Sequence, residues 1–336
     1  MSPFAGVEGP INAYATVVQL PDPPLAIVAH RDRHDGELME HLSGLQGWIW
    51  SHVQDGAPSP IVAHAMEHCW RVHHQVVFEM TPGAEEGLAD WAQRANALLF
   101  FPDSTLRSAR GEVLVGGPPA EGADVPYTHD GWARKARNET TLQTMGVQCG
   151  PQLPPSPGAS EVIFREADEV LARANALVTV ALRASSLAEK NPIPMADLEA
   201  RFQNALFTEY ETSFLGADNV PAEALPQFSW RYEALTVLLW ALELIPDLPP
   251  PSGICDTGQL IGVMTGDLPS EPRLRSAAEL LDALDAHYRM HWWVRTCEGA
   301  GQPSPFIHGV VHERRTALTW LIRLGELDWE NIPLPT

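Results

Sequence analysis

The chain is poor in positive charge. Its 336 residues carry 22 Lys and Arg against 43 Asp and Glu, a formal net charge of −21. The deficit is not confined to a tail. Residues 1–130 hold 17 acidic and 6 basic side chains, and residues 131–336 hold 26 and 16. Both halves repel phosphate, so neither nucleic acid nor an anionic membrane is an expected partner, whereas a basic protein is favoured. Cysteine is scarce as well. Cys69, Cys149, Cys255 and Cys297 form no CxxC pair and follow no regular spacing, which excludes a zinc ribbon and a disulfide scaffold. The longest mainly apolar run, Leu235–Leu242, is too short to span a bilayer. Residues Met1–Phe4 show no basic stretch leading into an apolar one, so no signal peptide is expected. These deficits together predict a reduced, cytoplasmic setting.

Catalytic signatures are missing too. No GxGxxG follows a strand, and there is no Walker A loop, no GxSxG elbow and no kinase signature. No cofactor is expected, and the balance leans away from an enzyme.

Hydrophobic residues make up 45% of the chain, a globular composition at a length sufficient for two cores. Residues 1–117 read as mixed α and β. Strands are expected at Ile11–Val18, Leu25–Ala29, Gly47–Trp50, Gln75–Glu79, Ala97–Phe101 and Glu112–Val115, with helices over Gly36–Leu45 and Gly83–Ala97. Interleaving of this kind predicts a small α/β sandwich of ferredoxin-like type. Residues 118–131 read as a linker rich in Gly, Pro and acid. Residues 132–336 read as an all-α domain, which makes the fold class α+β. A short helix and a second Pro-rich stretch, Gly150–Gly158, precede its main body. Long helices are expected over Phe164–Leu187, Met195–Phe214, Trp230–Ile245, Ser276–Cys297 and Phe306–Leu324. Ser276 and Glu279 form a capping box by spacing.

Charged side chains intrude on the apolar stripes of these helices. Ile307, Val311, Arg314, Leu318 and Leu321 recur at steps of four and three, and Arg314 occupies a core position. Glu233 does the same in the stripe of Trp230, Val237, Ala241 and Leu244. An unpaired buried charge is costly, so Glu233 and Arg314 are expected to pair across two packed helices. Arg231, Arg289, His291 and Glu313 are expected in the same polar cluster. Asp285 and Arg289 have i,i+4 spacing. Such a cluster either fixes helix register or lines a binding pocket.

The 13 histidines include His64 with His68, His287 with His291, and His308 with His312. Each pair lies on one helix face, as a metal site requires. His64-Ala65-Met66-Glu67-His68 matches the HxxEH pattern of inverted zincins. It lacks a distant third ligand, so no metal ligand is assigned. The 11 tryptophans mostly accompany Leu or Val at helix spacing and read as core.

The segments Ser229–Leu242 (SWRYEALTVLLWAL), Leu281–Arg295 (LDALDAHYRMHWWVR) and Gly309–Ile322 (GVVHERRTALTWLI), with Asp328–Ile332 (DWENI), resemble a bacterial family, domain of unknown function 4272. Leu153–Leu182 is similar to its proline-rich entry and first long helix. The resemblance covers about residues 132–332. It implies that the preceding residues are the α/β extension found in some members. The family pattern falls on Trp230, Arg231, Glu233, Arg289, His291, Trp292, Glu313, Arg314 and Trp320, with Thr319 standing where an asparagine-like residue is expected. The family implies no biochemical activity. Three readings follow: a non-catalytic interaction protein, immunity-like or regulatory, that binds a basic partner; a binder of small molecules or peptides; and a His-metal hydrolase.

Overall fold

Strand β1 (Gly9–Ala15) is central in the first half of the chain. Its side chains alternate across the pleat, with Ile11, Ala13 and Ala15 buried in one core and Tyr14 in another. After it come β2 (Ile27–Asp32), α1 (Gly36–Trp50), α2 (Pro60–Arg71), β3 (His74–Met80), α3 (Glu85–Arg94), β4 (Ala97–Phe100), β5 (Leu106–Arg107) and β6 (Val113–Val115). The strands form one six-stranded sheet, ordered β2-β3-β1-β4-β5-β6, with every pairing antiparallel. Leu88 and Trp91 of α3 cover one face, against Phe78 and Leu99. Leu38, Leu42 and Ile49 of α1 and Val62 and Ala65 of α2 cover the other.

The computed structural model describes residues 4, 8–53, 56–80, 85–217, 219–323 and 328–336. The residues fall into two compact units, Met1–Ala133 with Pro157–Ile163, and Arg134–Ser156 with Phe164–Thr336. The chain is α+β, an antiparallel sheet followed by a helical region. Within the sheet unit the elements run β-β-α-α-β-α-β-β-β, whereas a ferredoxin-like unit runs β-α-β-β-α-β. The strand expected at Gly47–Trp50 is the last turn of α1. Ile49 extends the stripe of Leu38, Leu42 and Leu45, so helical period wins over local β-propensity. Gly83 and Ala84, expected to open α3, lie outside the described residues.

Residues 157–163 join the sheet unit through Glu161. Its Oε1 accepts from Arg71 Nη1 and from Asn96 Nδ2, both at 2.9 Å. Its Oε2 accepts from the Gly158 amide at 2.7 Å. His73 Nε2 is bonded to the Glu161 carbonyl at 2.8 Å, and the Val18 amide donates to Ser160 O at 2.8 Å.

Helix α4 (His129–Gln143) contains the boundary between the units. The helical unit continues with α5 (Ala167–Ala188), α6 (Met195–Arg201), α7 (Glu209–Leu215), α8 (Leu225–Ser229), α9 (Arg231–Ala241), α10 (Thr257–Thr265), α11 (Ala277–Gly299) and α12 (His308–Leu321). Helix α9 is buried at every position and packs on α5 and α12, while α12 also packs on α11. Helix α5 is long and apolar enough to cross a bilayer by composition, yet most of its apolar stretch is buried in the unit and it carries Arg173 inside.

The single helix expected over Met195–Phe214 is two. Helix α6 ends at Arg201, and Asn204 adopts the left-handed region at φ 56°. Thr208 then starts α7 with a capping box closed by Glu211. The capping box of Ser276 and Glu279 opens α11. Leu324, the expected end of the last helix, lies outside the described residues.

Candidate functional site

Glu233 and Arg314, singled out by their core phases, meet inside the helical unit. Arg314 Nε and Nη2 donate to Glu233 Oε2 at 2.9 and 2.8 Å. Glu233 Oε1 accepts from the Cys255 amide at 2.7 Å, and Arg314 Nη1 donates to Pro249 O at 2.5 Å. Both carboxylate oxygens are therefore occupied, as burial of an ion pair requires. Burial, and then the Glu233 charge, push the Cys255 thiol up to about 12. It stays protonated and inert at neutral pH.

Arg231 belongs to a second cluster. Its Nη1 donates to Glu313 Oε2 at 3.2 Å, and Nη2 to Glu330 at 3.1 and 3.3 Å. Its Nε lies 3.5 Å from Glu211 Oε1. Glu211, fully buried, receives both Nη groups of Arg173 at 2.6 and 2.7 Å. The Arg173 guanidinium lies 4.2 Å over the Trp329 ring. Burial raises the Glu313 carboxyl, and the Arg231 charge offsets this only in part.

Arg289 forms a third cluster. Its Nε and Nη2 donate to the two oxygens of Asp285 at 2.8 Å each, the i,i+4 pair of the sequence. Its Nη1 reaches Glu139 at 2.8 Å and Nη2 reaches Pro154 O at 3.2 Å. Asp285 also accepts from Ser156 Oγ and Asn138 Nδ2. Burial pushes the Asp285 carboxyl up. Hydrogen bonds and charge from Arg289, with Asn138 and Ser156, outweigh it and hold the carboxyl below the usual range.

His291 is in a fourth cluster, with Arg315 Nη1 at 2.9 Å from its Nδ1. Burial, and then Arg315, depress its pKa to about 3. The six residues expected in one cluster thus divide among four. The reason is helix geometry: residues two apart diverge by about 200° around the axis. Arg231 and Glu233 are two apart, as are Arg289 and His291.

Sequence reasoning missed Arg173, Glu211, Glu330 and Arg315. Arg173 carried a signal, because it falls in the stripe of Val170, Ala174 and Leu177. Composition carried another: 20 of the 22 basic residues are arginine. Arginine, with five donors in a rigid fork, suits buried pairing where lysine does not. The helical unit holds 16 basic side chains, of which seven are buried, beside three buried carboxylates among the described residues.

The paired histidines do not converge on a common point in α2. His68 is bonded to Tyr14 O at 3.0 Å, and His64 faces Asp124 at 3.4 Å. Among the described residues no group of three or more His, Cys, Asp or Glu side chains is placed to hold a metal ion. A cleft of about 510 Å³ lies between α5, α9 and α10, with Trp230, Tyr232, Glu233, Cys255 and Ile261 in its wall.

No curated protein and no solved structure matches the chain. The family model of a domain of unknown function, DUF4272, matches residues 134–332. That span takes in Arg231, Glu233, Arg289, His291, Glu313 and Arg314, and the chain belongs to the DUF4272 family.

Proposed function

We propose that this chain is a non-catalytic, cytoplasmic protein that binds a basic protein partner, in an immunity-like or regulatory role. The observation that carries the reading is the charge of the interior. Among the described residues the helical unit buries seven basic side chains and three acidic ones. Its outer surface is therefore more acidic than its composition. An acidic surface accelerates encounter with a basic partner and disfavours nucleic acid and anionic membranes. The buried charges are held by one another, by partly exposed carboxylates such as Glu139, Glu313 and Glu330, and by loop carbonyls, which gives them an architectural role. A purified partner tests this: capture on the full chain at low ionic strength, then titration over a salt series. We expect a protein of basic isoelectric point whose association slows as salt rises. A captured partner of acidic isoelectric point, or an affinity indifferent to salt, overturns the reading.

A second reading, binding of a small molecule or peptide, is favoured by the cleft beside Glu233 and Cys255. Its wall is mainly apolar with a few polar groups, the usual make-up of a ligand site. A ligand of the folded state must raise the melting temperature, so a thermal-shift screen discriminates it. The hydrolase reading rests on no observation in the site.

A further inference from the structure

One cleft of the sheet unit joins a charged end to an apolar one. Its volume is about 570 Å³, and it lies between α1 and the sheet face that α1 covers. Strand register sets its floor. Arg31 of β2, Gln75 of β3 and Tyr14 of β1 are direct neighbours in one row, and Phe100 of β4 lies opposite Asn12 in the next. Helix period sets its wall. Glu37, Glu40, Gly44 and Trp48 follow at steps of three and four, so the wall is roughly 16 Å long. Arg31, Glu37 and Glu40 stand at the start of α1. Leu45, Trp48 and Phe100 form the other end, where the Trp48 ring meets Phe100 edge-on at 4.9 Å.

The charged end has capacity to spare. Arg31 Nε donates to Glu37 at 3.3 Å and Nη1 to Gln75 Oε1 at 2.7 Å. Three of the five guanidinium N–H groups are therefore without a partner among the described residues. Glu40 is exposed and, among the described residues, makes no hydrogen bond or ion pair. Tyr14 Oη and His41 Nε2 lie 2.9 Å apart. Burial raises the phenol well above its usual range, while burial, and then Arg31, lower the imidazole. Both are neutral, so the pair holds two protons for one shared bond and keeps the other for an acceptor. Gly44 separates the two ends. Glycine inside a helix is less stable than alanine. A Cβ at Gly44 would meet nothing within 4 Å, and its φ is not positive, so neither packing nor backbone requires glycine there. The missing side chain keeps the middle of the cleft open.

We propose that this cleft binds an apolar or aromatic α-amino acid as its zwitterion. The carboxylate meets Arg31, the ammonium meets Glu37 and Glu40, and the side chain runs past Gly44 onto Leu45, Trp48 and Phe100. A simple anion would face two carboxylates and the −21 charge of the chain, and a simple cation would face Arg31. A zwitterion has no net charge, so the long-range field does not oppose it, and the short-range contacts decide. Binding here needs neither a basic protein partner nor the cleft beside Glu233.

The test is titration of the full chain with L-phenylalanine, read by NMR at the indole N–H of Trp48. We expect saturable shifts. Glycine lacks the apolar body, phenethylamine the carboxylate and 3-phenylpropionate the ammonium, and each should bind at least about tenfold more weakly. Glu40→Gln changes an exposed side chain. It should weaken L-phenylalanine about tenfold without weakening 3-phenylpropionate, which has no ammonium to lose. Gly44→Leu fills the open middle and should abolish the shifts without lowering the melting temperature, since leucine is the better helix former. No saturable shift with L-phenylalanine, or undiminished binding in the Gly44→Leu chain, overturns the site. Phenethylamine or 3-phenylpropionate as tight as L-phenylalanine, or unchanged L-phenylalanine affinity in the Glu40→Gln chain, overturns the assignment to a zwitterion.

Discussion

The sheet unit and the helical unit solve the same packing problem differently. The sheet has two faces of apolar side chains, each covered by amphipathic helices, and among the described residues the unit buries one arginine and one carboxylate, Arg71 and Glu161. The helical unit buries seven basic side chains. The difference follows from backbone accounting. Strands and helices satisfy their own amides and carbonyls, but proline-rich loops do not. In the helical unit buried or half-buried arginines donate to those loops: Arg289 to Pro154 O, Arg314 to Pro249 O, Arg315 to Pro335 O and Arg183 to Ile193 O, between Pro192 and Pro194. Each guanidinium binds a carbonyl on one side, and Arg289 and Arg314 hold a carboxylate on the other. The polar interior thus follows from the loops that close the bundle.

The strongest way to break this comparison is to strand one of these cations. Glu211→Ala leaves Arg173 without its fork and removes a neighbour of Arg231. Loss of one partner of a buried pair should cost about 3–5 kcal/mol. Urea unfolding followed by circular dichroism measures it. A cost near that of a surface substitution would mean that water reaches the cluster and that the interior is less dry than its burial implies.

Acid probes both units at once. Burial first, and then charge, depress His287 to about 4 and His68 to about 3, below the usual 6.5. The unfolded chain takes up these protons as pH falls below 6.5, while the folded chain refuses them. Stability is therefore full above pH 6.5 and is lost as pH falls toward 4. For His287 the loss is on the order of 3 kcal/mol. His287→Gln should flatten the dependence of stability on pH across that window by one proton. Asp285 acts lower: its depressed carboxyl contributes stability above the usual carboxylate range that is lost as pH falls through its folded value. An unchanged slope in the His287 variant would place its imidazole in contact with solvent.

A double substitution separates the pair from the loop. Glu233→Leu alone leaves Arg314 stranded. With Arg314→Met as well, the charges vanish, but Pro249 O and the Cys255 amide lose their partners. The double variant should therefore cost less than either single one, with a remainder of about 1–3 kcal/mol from the unsatisfied backbone groups. A remainder of zero would remove the loop from the argument and leave the pair as its own explanation. Equilibrium unfolding of all three variants decides.

How far the sequence reached depended on the range of the interaction. Helical period placed Glu233 and Arg314 on facing stripes, and a capping box placed the start of α11 at Ser276. These are local patterns with a fixed geometry. The interruption between α6 and α7 was not readable from apolar spacing, because Asn204 and the Thr208 cap stop a pattern that otherwise continues. Arg71 and Glu161 are 90 residues apart, one at a helix end and one in a short turn, so no period links them. The division of six polar residues among four clusters needed side-chain direction, which spacing along a stripe does not supply.

The smallest effect is the sharpest control. Both units start a helix with a side-chain cap. Asp35 accepts from the Glu37 amide at the start of α1, and Ser276 Oγ accepts from the Glu279 amide at the start of α11. Each satisfies one backbone donor that the helix leaves open. That event is local and independent of what lies in the core. Asp35→Ala and Ser276→Ala should therefore each cost about 1 kcal/mol, in the sheet unit and in the helical unit alike. Thermal unfolding of the two variants measures the costs side by side. Equal losses would confine the difference between the units to their interiors, where the loop carbonyls and arginines are. A markedly larger loss at Ser276 would mean that the helix ends also bear on the polar clusters, since Asp285 and Arg289 follow on the same helix, and the contrast between the units would then extend beyond the loops.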